Sequence, residues 1–177
     1  MKALLLTFGL GLIAALQAQA FPTLGEDQDV SGTWYLKATA TDKKIPVRKL
    51  GSVSVTSMTI RTLEGGNLHV KITAVVLGRC QDMSFFLEKT KQPGKYTAYG
   101  DKIAVYIIKS RVDGHYIFYT AGERHGHQFR MAKLVGRDPN INQEALEDFE
   151  NAVRAGGLNT ENIIIPRQID TCSPEWD

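Results

Sequence analysis

The chain has 177 residues, of which 43% are hydrophobic and 23% charged, the composition of an ordinary globular protein. This favours one domain and excludes a collagen-like, disordered or multi-span membrane chain. The 21 basic and 19 acidic side chains give a formal charge of +2, with neither sign in long blocks, so the basic stripe of a nucleic-acid binder is missing.

Met1 and Lys2 precede an uncharged apolar run, Ala3 to Ala15, and then Leu16-Gln17-Ala18-Gln19-Ala20. A basic start, an apolar stretch of this length and small residues at its end describe a secretory signal peptide over residues 1–20, with cleavage after Ala18 as the alternative. The run is too short to span a bilayer comfortably, and no later apolar run is long enough, so residues 21–177 are read as one secreted domain without a membrane anchor. Cys80 and Cys172 are the two cysteines, and in an oxidising compartment they have a single intramolecular pairing available. That bridge would close a loop of about 92 residues and contribute at most roughly 4–5 kcal/mol.

From Gly32 the sequence becomes a succession of short alternating apolar runs. Gly32 to Thr41 reads as a strand with Trp34, Leu36 and Ala38 on one face. Val53 to Leu63 is a second, and Glu64-Gly65-Gly66-Asn67 is a hairpin turn into a third. In that third strand Leu68, Val70, Ile72, Ala74 and Val76 alternate with His69, Lys71 and Thr73, the pattern of a half-buried strand. Cys80–Lys89, Tyr96–Tyr99, Lys102–Lys109, His115–Ala121 and Gln128–Gly136 follow, with Pro93-Gly94 and Asp113-Gly114 as turn signals. Eight strands at roughly ten-residue spacing predict an all-β, antiparallel up-and-down sheet. Closure into a barrel removes the exposed edges, and an eight-stranded barrel is just wide enough for one small ligand.

The period then changes. Asp138-Pro139 is a good helix start. Within Asn142 to Ala155, Leu146, Phe149 and Val153 form a narrow apolar stripe, and Gly156-Gly157 ends it. This predicts one C-terminal helix lying on the outside of the sheet. Ile163–Ile165 is a candidate ninth strand.

The order of these elements, with three short motifs, resembles the lipocalins along essentially the whole chain. Gly32-Thr33-Trp34 matches the G-x-W at the start of the first strand. Asp113-Gly114-His115-Tyr116 stands where the second motif, usually T-D-Y, belongs and departs from it. Gly136-Arg137, after Lys133-Leu134-Val135, matches the third. Leu63–Leu68, Pro93–Ala98, Leu134–Pro139 and Glu144–Phe149 look like one secretory branch of that family. The resemblance implies an eight-stranded lipocalin barrel with structural roles for Gly32, Trp34 and Arg137. The Trp closes the floor and the guanidinium lies over its outer face, an interaction of about 0.5–2 kcal/mol.

Strand parity alone does not orient the last run, because apolar residues lie on both of its faces. The resemblance does: it places Lys133 in the cavity near its mouth, where an ammonium can meet a lipid carboxylate. Leu36, Met58, Ile60, Leu68, Val70, Ile72, Val105, Ile107, Phe118 and Met131 are then the candidate ligand-lining residues, each equally able to fill a solid core.

Other readings are weaker. His125 and His127, with Glu123 and His115, fit a solvated turn better than a metal site, and the acidic residues Glu144, Glu147, Asp148 and Glu150 fit a solvated helix face better than a nuclease centre. No metal, cofactor or catalytic residue is expected, and the family's catalytic member needs a barrel cysteine that this chain cannot spare. The expectation is therefore a non-enzymatic, secreted carrier of fatty acids and other lipids, retinoids, tastants or odorants. The resemblance extends this to a role in taste reception and a cell-surface receptor, acting as monomer or weak dimer. The alternative is inhibition of cysteine proteases through cystatin-like stretches such as Leu63–Leu68, although the Q-x-V-x-G pattern of true cystatins is missing; weak nuclease activity ranks last.

Overall fold

A computed structural model describes residues 29–43, 53–76 and 79–166; the segment read as a signal peptide and Cys172 lie outside them. The described chain forms eight strands: β1 (Gly32–Thr41), β2 (Val53–Thr62), β3 (Leu68–Val76), β4 (Arg79–Lys89), β5 (Lys95–Ala98), β6 (Ile103–Lys109), β7 (His115–Arg124) and β8 (His127–Gly136). They close into one antiparallel barrel in chain order, sealed where β1 meets β8 between Tyr35↔Gly136 and Thr41↔Met131. Closure leaves β1 and β8 without free edges, which explains why two long strands at opposite ends of the sheet tolerate apolar residues on both faces.

Alternation sends one set of side chains inward. Trp34, Leu36, Met58, Ile60, Leu68, Val70, Ile72, Leu87, Val105, Ile107, Phe118 and Val135 belong to a single buried cluster inside the barrel. A bulge between Leu36 and Ala38 shifts the β1–β8 register by one residue. Beyond it Ala38 and Ala40 face outward, joining Ile108, Ile117, Tyr119, Ala132 and Leu134 in a second cluster. These small and flat outer residues are covered by the helix α1 (Gln143–Ala155), which buries Ala145, Phe149 and Val153 against them. Full burial of Phe149 and Val153 is worth about 1.5–3 kcal/mol each.

The helix starts later than the sequence suggested. Asn142, not Asp138, is the N-cap: its side chain accepts from the Ala145 N–H at 3.1 Å. Asp138 instead accepts from the Asn140 N–H at 2.9 Å and faces Lys37. The buried stripe likewise runs through Ala145, Phe149 and Val153, with Leu146 only partly buried at its margin. Asp148 accepts from Ser110 Oγ and the Arg111 N–H, at 2.8 and 3.0 Å, tying α1 to the β6–β7 hairpin.

Two smaller expectations change. Ile163–Ile165 contributes one bridge, Thr39↔Ile164, rather than a strand. Strand β7 runs through Gly122 to Arg124 and turns at His125-Gly126 alone, both with positive φ, the two-residue geometry that suits a tight hairpin. Among the described residues no helix is long and apolar enough to cross a membrane.

Candidate functional site

The barrel is not filled along its length. β1 begins, and β2, β4, β6 and β8 end or turn, at a floor plugged by Trp34. The opposite rim lies at the end of β5, the start of β6 and the β7–β8 hairpin. β4 and β5 meet only at Glu88↔Thr97 and Lys89↔Tyr96, both near the floor, so the wall is loosest toward the rim.

At the floor the Trp34 indole is 1% exposed. It donates from Nε1 to the Val30 carbonyl at 2.8 Å and meets Tyr116 edge-on at 5.1 Å. The Arg137 guanidinium lies 3.6 Å from the centroid of its ring on the outer side. Gly32 is required here: a Cβ would fall 2.6 Å from Arg137 Nη1, and its φ of +111° suits glycine alone. The three residues thus meet in one cap at the closed end.

Above this plug lies a cavity of about 180 Å³. Its wall is formed by Met58, Val70, Ile72, Phe85, Leu87, Ala98, Ile103, Val105, Phe118, Phe129 and Met131, with Tyr99, Thr120, Arg124 and Lys133 as its polar members. Seven residues singled out from the sequence meet there: Met58, Val70, Ile72, Val105, Phe118, Met131 and Lys133. Leu36, Ile60, Leu68 and Ile107 do not line it. They pack deep in the barrel with Trp34, Tyr116 and Val135, at 1–6% exposure, as solid core. Their register explains the difference: Gly32 pairs with Ile60, Leu36 with Val135, and Leu68 with Leu87, all at the closed end.

Sequence reasoning missed eight wall residues: Phe85, Leu87, Ala98, Tyr99, Ile103, Thr120, Arg124 and Phe129. The signal for three of them was in the alternation. Phe118, Thr120, Gly122 and Arg124 share one face of β7, and Phe129 shares one with Met131.

Lys133 is paired across the sheet with Phe118. It is half-buried and lines the cavity. Burial holds its ammonium below the ordinary lysine range, because a charge loses hydration in an apolar wall. No Asp or Glu belongs to that wall. Arg124, by contrast, is exposed at the rim.

The imidazoles do not assemble. His125 and His127 are exposed at the rim, whereas His115 is buried at the opposite end of β7 against Lys37. Among the described residues no group of three His, Cys, Asp or Glu side chains could hold a metal. Cys80, at the exposed start of β4, is not a free thiol.

Residues 31–170 match the model of the "Lipocalin / cytosolic fatty-acid binding protein family". The chain is 70% identical to von Ebner gland protein 2 of Rattus norvegicus over 172 residues, 97% of each protein. It is 53% identical to Lipocalin-1 of Sus scrofa over 175 residues, 98% of each. The solved structure of the siderocalin Ex-FABP, described as functioning through dual ligand specificities, superposes with a TM-score of 0.70 at 19% identity. That likeness covers 81% of this chain and 97% of the other, and concerns the fold.

Proposed function

The chain belongs to the lipocalin / cytosolic fatty-acid binding protein family, and we propose that it is a secreted carrier that holds one hydrophobic small molecule in its barrel. The observation that carries this reading is the apolar cavity of about 180 Å³ between the Trp34 plug and the rim. A dry cavity of about 150 Å³ already accepts a benzene-sized guest, and burial of apolar ligand surface contributes about 25 cal/mol per Å².

The mechanism is binding without chemistry. An acyl chain, retinoid, tastant or odorant leaves water for a wall of aliphatic and aromatic side chains. Lys133 inside the cavity and Arg124 at the rim would orient an acidic head group, since an arriving carboxylate supplies the counter-charge that the wall does not. With so few polar groups to enforce a shape, selectivity is broad. Residues 1–20 as signal peptide, the Cys80–Cys172 bridge, and roles in taste reception and at a cell-surface receptor complete the proposal.

The protease-inhibitor reading gains nothing from the structure. Leu63–Leu68 is the β2–β3 turn, in which the Leu63 N–H donates to the Asn67 carbonyl at 2.7 Å, and that role accounts for its sequence. The acidic helix is accounted for likewise, with Asp148 spent on docking α1.

The test is titration of delipidated, disulfide-intact protein with a fluorescent fatty acid, with native mass spectrometry for stoichiometry. Saturable one-to-one binding displaced by unlabelled lipids is expected. Folded protein that binds neither probe nor lipid would overturn the carrier reading.

A further inference from the structure

Strand β4 carries a ring that alternation does not explain. Phe85 and Leu87 line the cavity, so Cys80, Asp82, Ser84, Phe86 and Glu88 point outward. All five are exposed, and Phe86, at 62%, is an apolar ring on an otherwise polar strand face. The His69 imidazole, opposite it on β3, stacks on it at 4.7 Å between centroids and 11° between planes. Helix α1 packs against β7 and β8, on another side of the barrel, and leaves this pair open. Arg61, paired with His69 on β2, and Lys71, two residues along β3, are exposed cations on the same face. Its carboxylates are Glu88 and Asp82, and Asp82 lies 3.1 Å from Lys71 Nζ.

Cys80 lies on this outer face too, six residues before Phe86 and about 20 Å from it along the strand. It is not a free thiol, and Cys172 is the chain's other cysteine. The proposed bridge therefore delivers Ser173-Pro174-Glu175-Trp176-Asp177 to the face that holds Phe86. Trp176 is four residues beyond Cys172, about 13–14 Å of extended chain. With roughly 5.5 Å between bridged Cα atoms and the length of an indole side chain, its ring reaches the Phe86–His69 pair. Pro174 biases Ser173 toward extended backbone, the conformation that this reach requires.

Building on that bridge, we propose that the outer face of β3 and β4 is the docking site of the chain's own tail, the Trp176 indole lying against the open side of the Phe86 ring. Glu175 and Asp177 flank the indole with no base between them, and they meet Arg61 and Lys71. Stacking removes aromatic surface from water, and the opposite charges favour one placement over others. Because the tether makes the contact intramolecular, a single stacked ring is enough to hold it. The docked tail runs beside the stretch of β4 that β5 leaves unpaired, since those two strands meet only at Glu88 and Lys89.

The experiment uses the mature chain, unlabelled for fluorescence quenching and carrying 5-fluorotryptophan for fluorine NMR. Intact mass, two hydrogens below that of the reduced chain, first establishes the bridge; its absence removes the tether and overturns the proposal, whatever ligand the barrel binds. Trp34 and Trp176 are the two tryptophans. Trp34 is 1% exposed, so acrylamide quenching reads Trp176, and the Trp34 fluorine resonance reports that the fold is intact. The expected quenching constant for Trp176 is at least about two-fold below that of N-acetyltryptophanamide, the protection that one aromatic stack supports. Its fluorine resonance should be displaced from the peptide value by the ring currents of Phe86 and His69. Phe86→Thr should return both signals to their free values and leave the Trp34 resonance in place. Trp176 as accessible as the free amide in the bridged parent overturns docking. Protection that survives Phe86→Thr overturns the site, because the tail would lie elsewhere. Protection that disappears on dilution overturns the intramolecular contact, the tail of a second copy then occupying the face.

Discussion

Lys37 Nζ lies 2.7 Å from His115 Nε2, with Lys37 only 1% exposed. This pair belongs neither to the barrel interior nor to the surface. It occupies the bulge between Leu36 and Ala38, outside the β1–β8 seam and beside Asp138, whose Oδ1 is 3.4 Å from the same ammonium. His115 Nδ1 is 3.0 Å from the Asp113 carbonyl, so that nitrogen carries the proton and Nε2 accepts from the lysine. Space for the pair comes from Gly136, where a Cβ would fall 2.7 Å from Lys37 Cε and 3.0 Å from His115 Nε2. In the third family motif this glycine is therefore a packing requirement.

Gly136→Ala should destabilise the fold by about 1–3 kcal/mol, the usual cost of overpacking a filled site. Lys37→Met should cost a similar amount by another route, leaving His115 Nε2 buried without its donor, at about 1–3 kcal/mol. Urea unfolding of the two single variants and the double variant measures both. Because the two changes act on one contact, the double variant should fall short of the sum.

Much of this architecture was legible from alternation. β1, β3 and the hairpin turns fall where the period of two and the glycine pairs placed them, and the Gly32, Trp34 and Arg137 cap follows from its motifs. The boundary between plug and cavity was not legible. Leu36 and Val105 look alike in sequence, and only the register, which sets Leu36 beside Val135 near the floor, separates a filling residue from a wall residue. Lys37 was hidden for a related reason: a single bulge moves a charged residue out of step with its neighbours. The helix cap was misplaced because Asp138 and Asn142 are both good caps, and Asp138 is held by Lys37 and the Asn140 N–H.

That boundary is open to test. Ile107→Ala, in the solid core, should cost about 2–5 kcal/mol of stability through the cavity it leaves, with little change in ligand stoichiometry. Val105→Trp, on the wall, should fill the cavity and lower affinity for a fluorescent fatty acid at least about ten-fold, for a stability cost of about 1–3 kcal/mol. Thermal unfolding and ligand titration on both variants separate the two roles. Equal losses of affinity would mean that the wall extends to the floor.

The cap offers a spectroscopic prediction. Arg137 is exposed, so its contact with Trp34 belongs at the weaker end of cation–π energies, and Arg137→Ala should cost about 0.5–1 kcal/mol. Trp34→Ala should cost about 3–5 kcal/mol, because the floor empties. Chemical denaturation, followed by circular dichroism, compares them. Arg137→Ala should also alter the emission of Trp34, whose ring it uncovers on one side.

Lys133 makes the pH dependence asymmetric. Its proton affinity in the fold is below the ordinary value near 10.5, so between the lowered value and 10.5 the unfolded chain binds more protons and stability rises with pH. The penalty of the buried ammonium is fully present below the lowered value and gone above 10.5. Lys133→Met should therefore be more stable than the parent at acidic and neutral pH, by a margin that closes as the pH climbs through that window. A carboxylate ligand acts in the opposite sense: it favours the ammonium, so fatty-acid binding should take up protons within the window, whereas binding of the matching alcohol should not. Calorimetry in buffers of different ionisation enthalpy reads that uptake directly. Equal proton uptake for acid and alcohol would remove Lys133 from the head-group site.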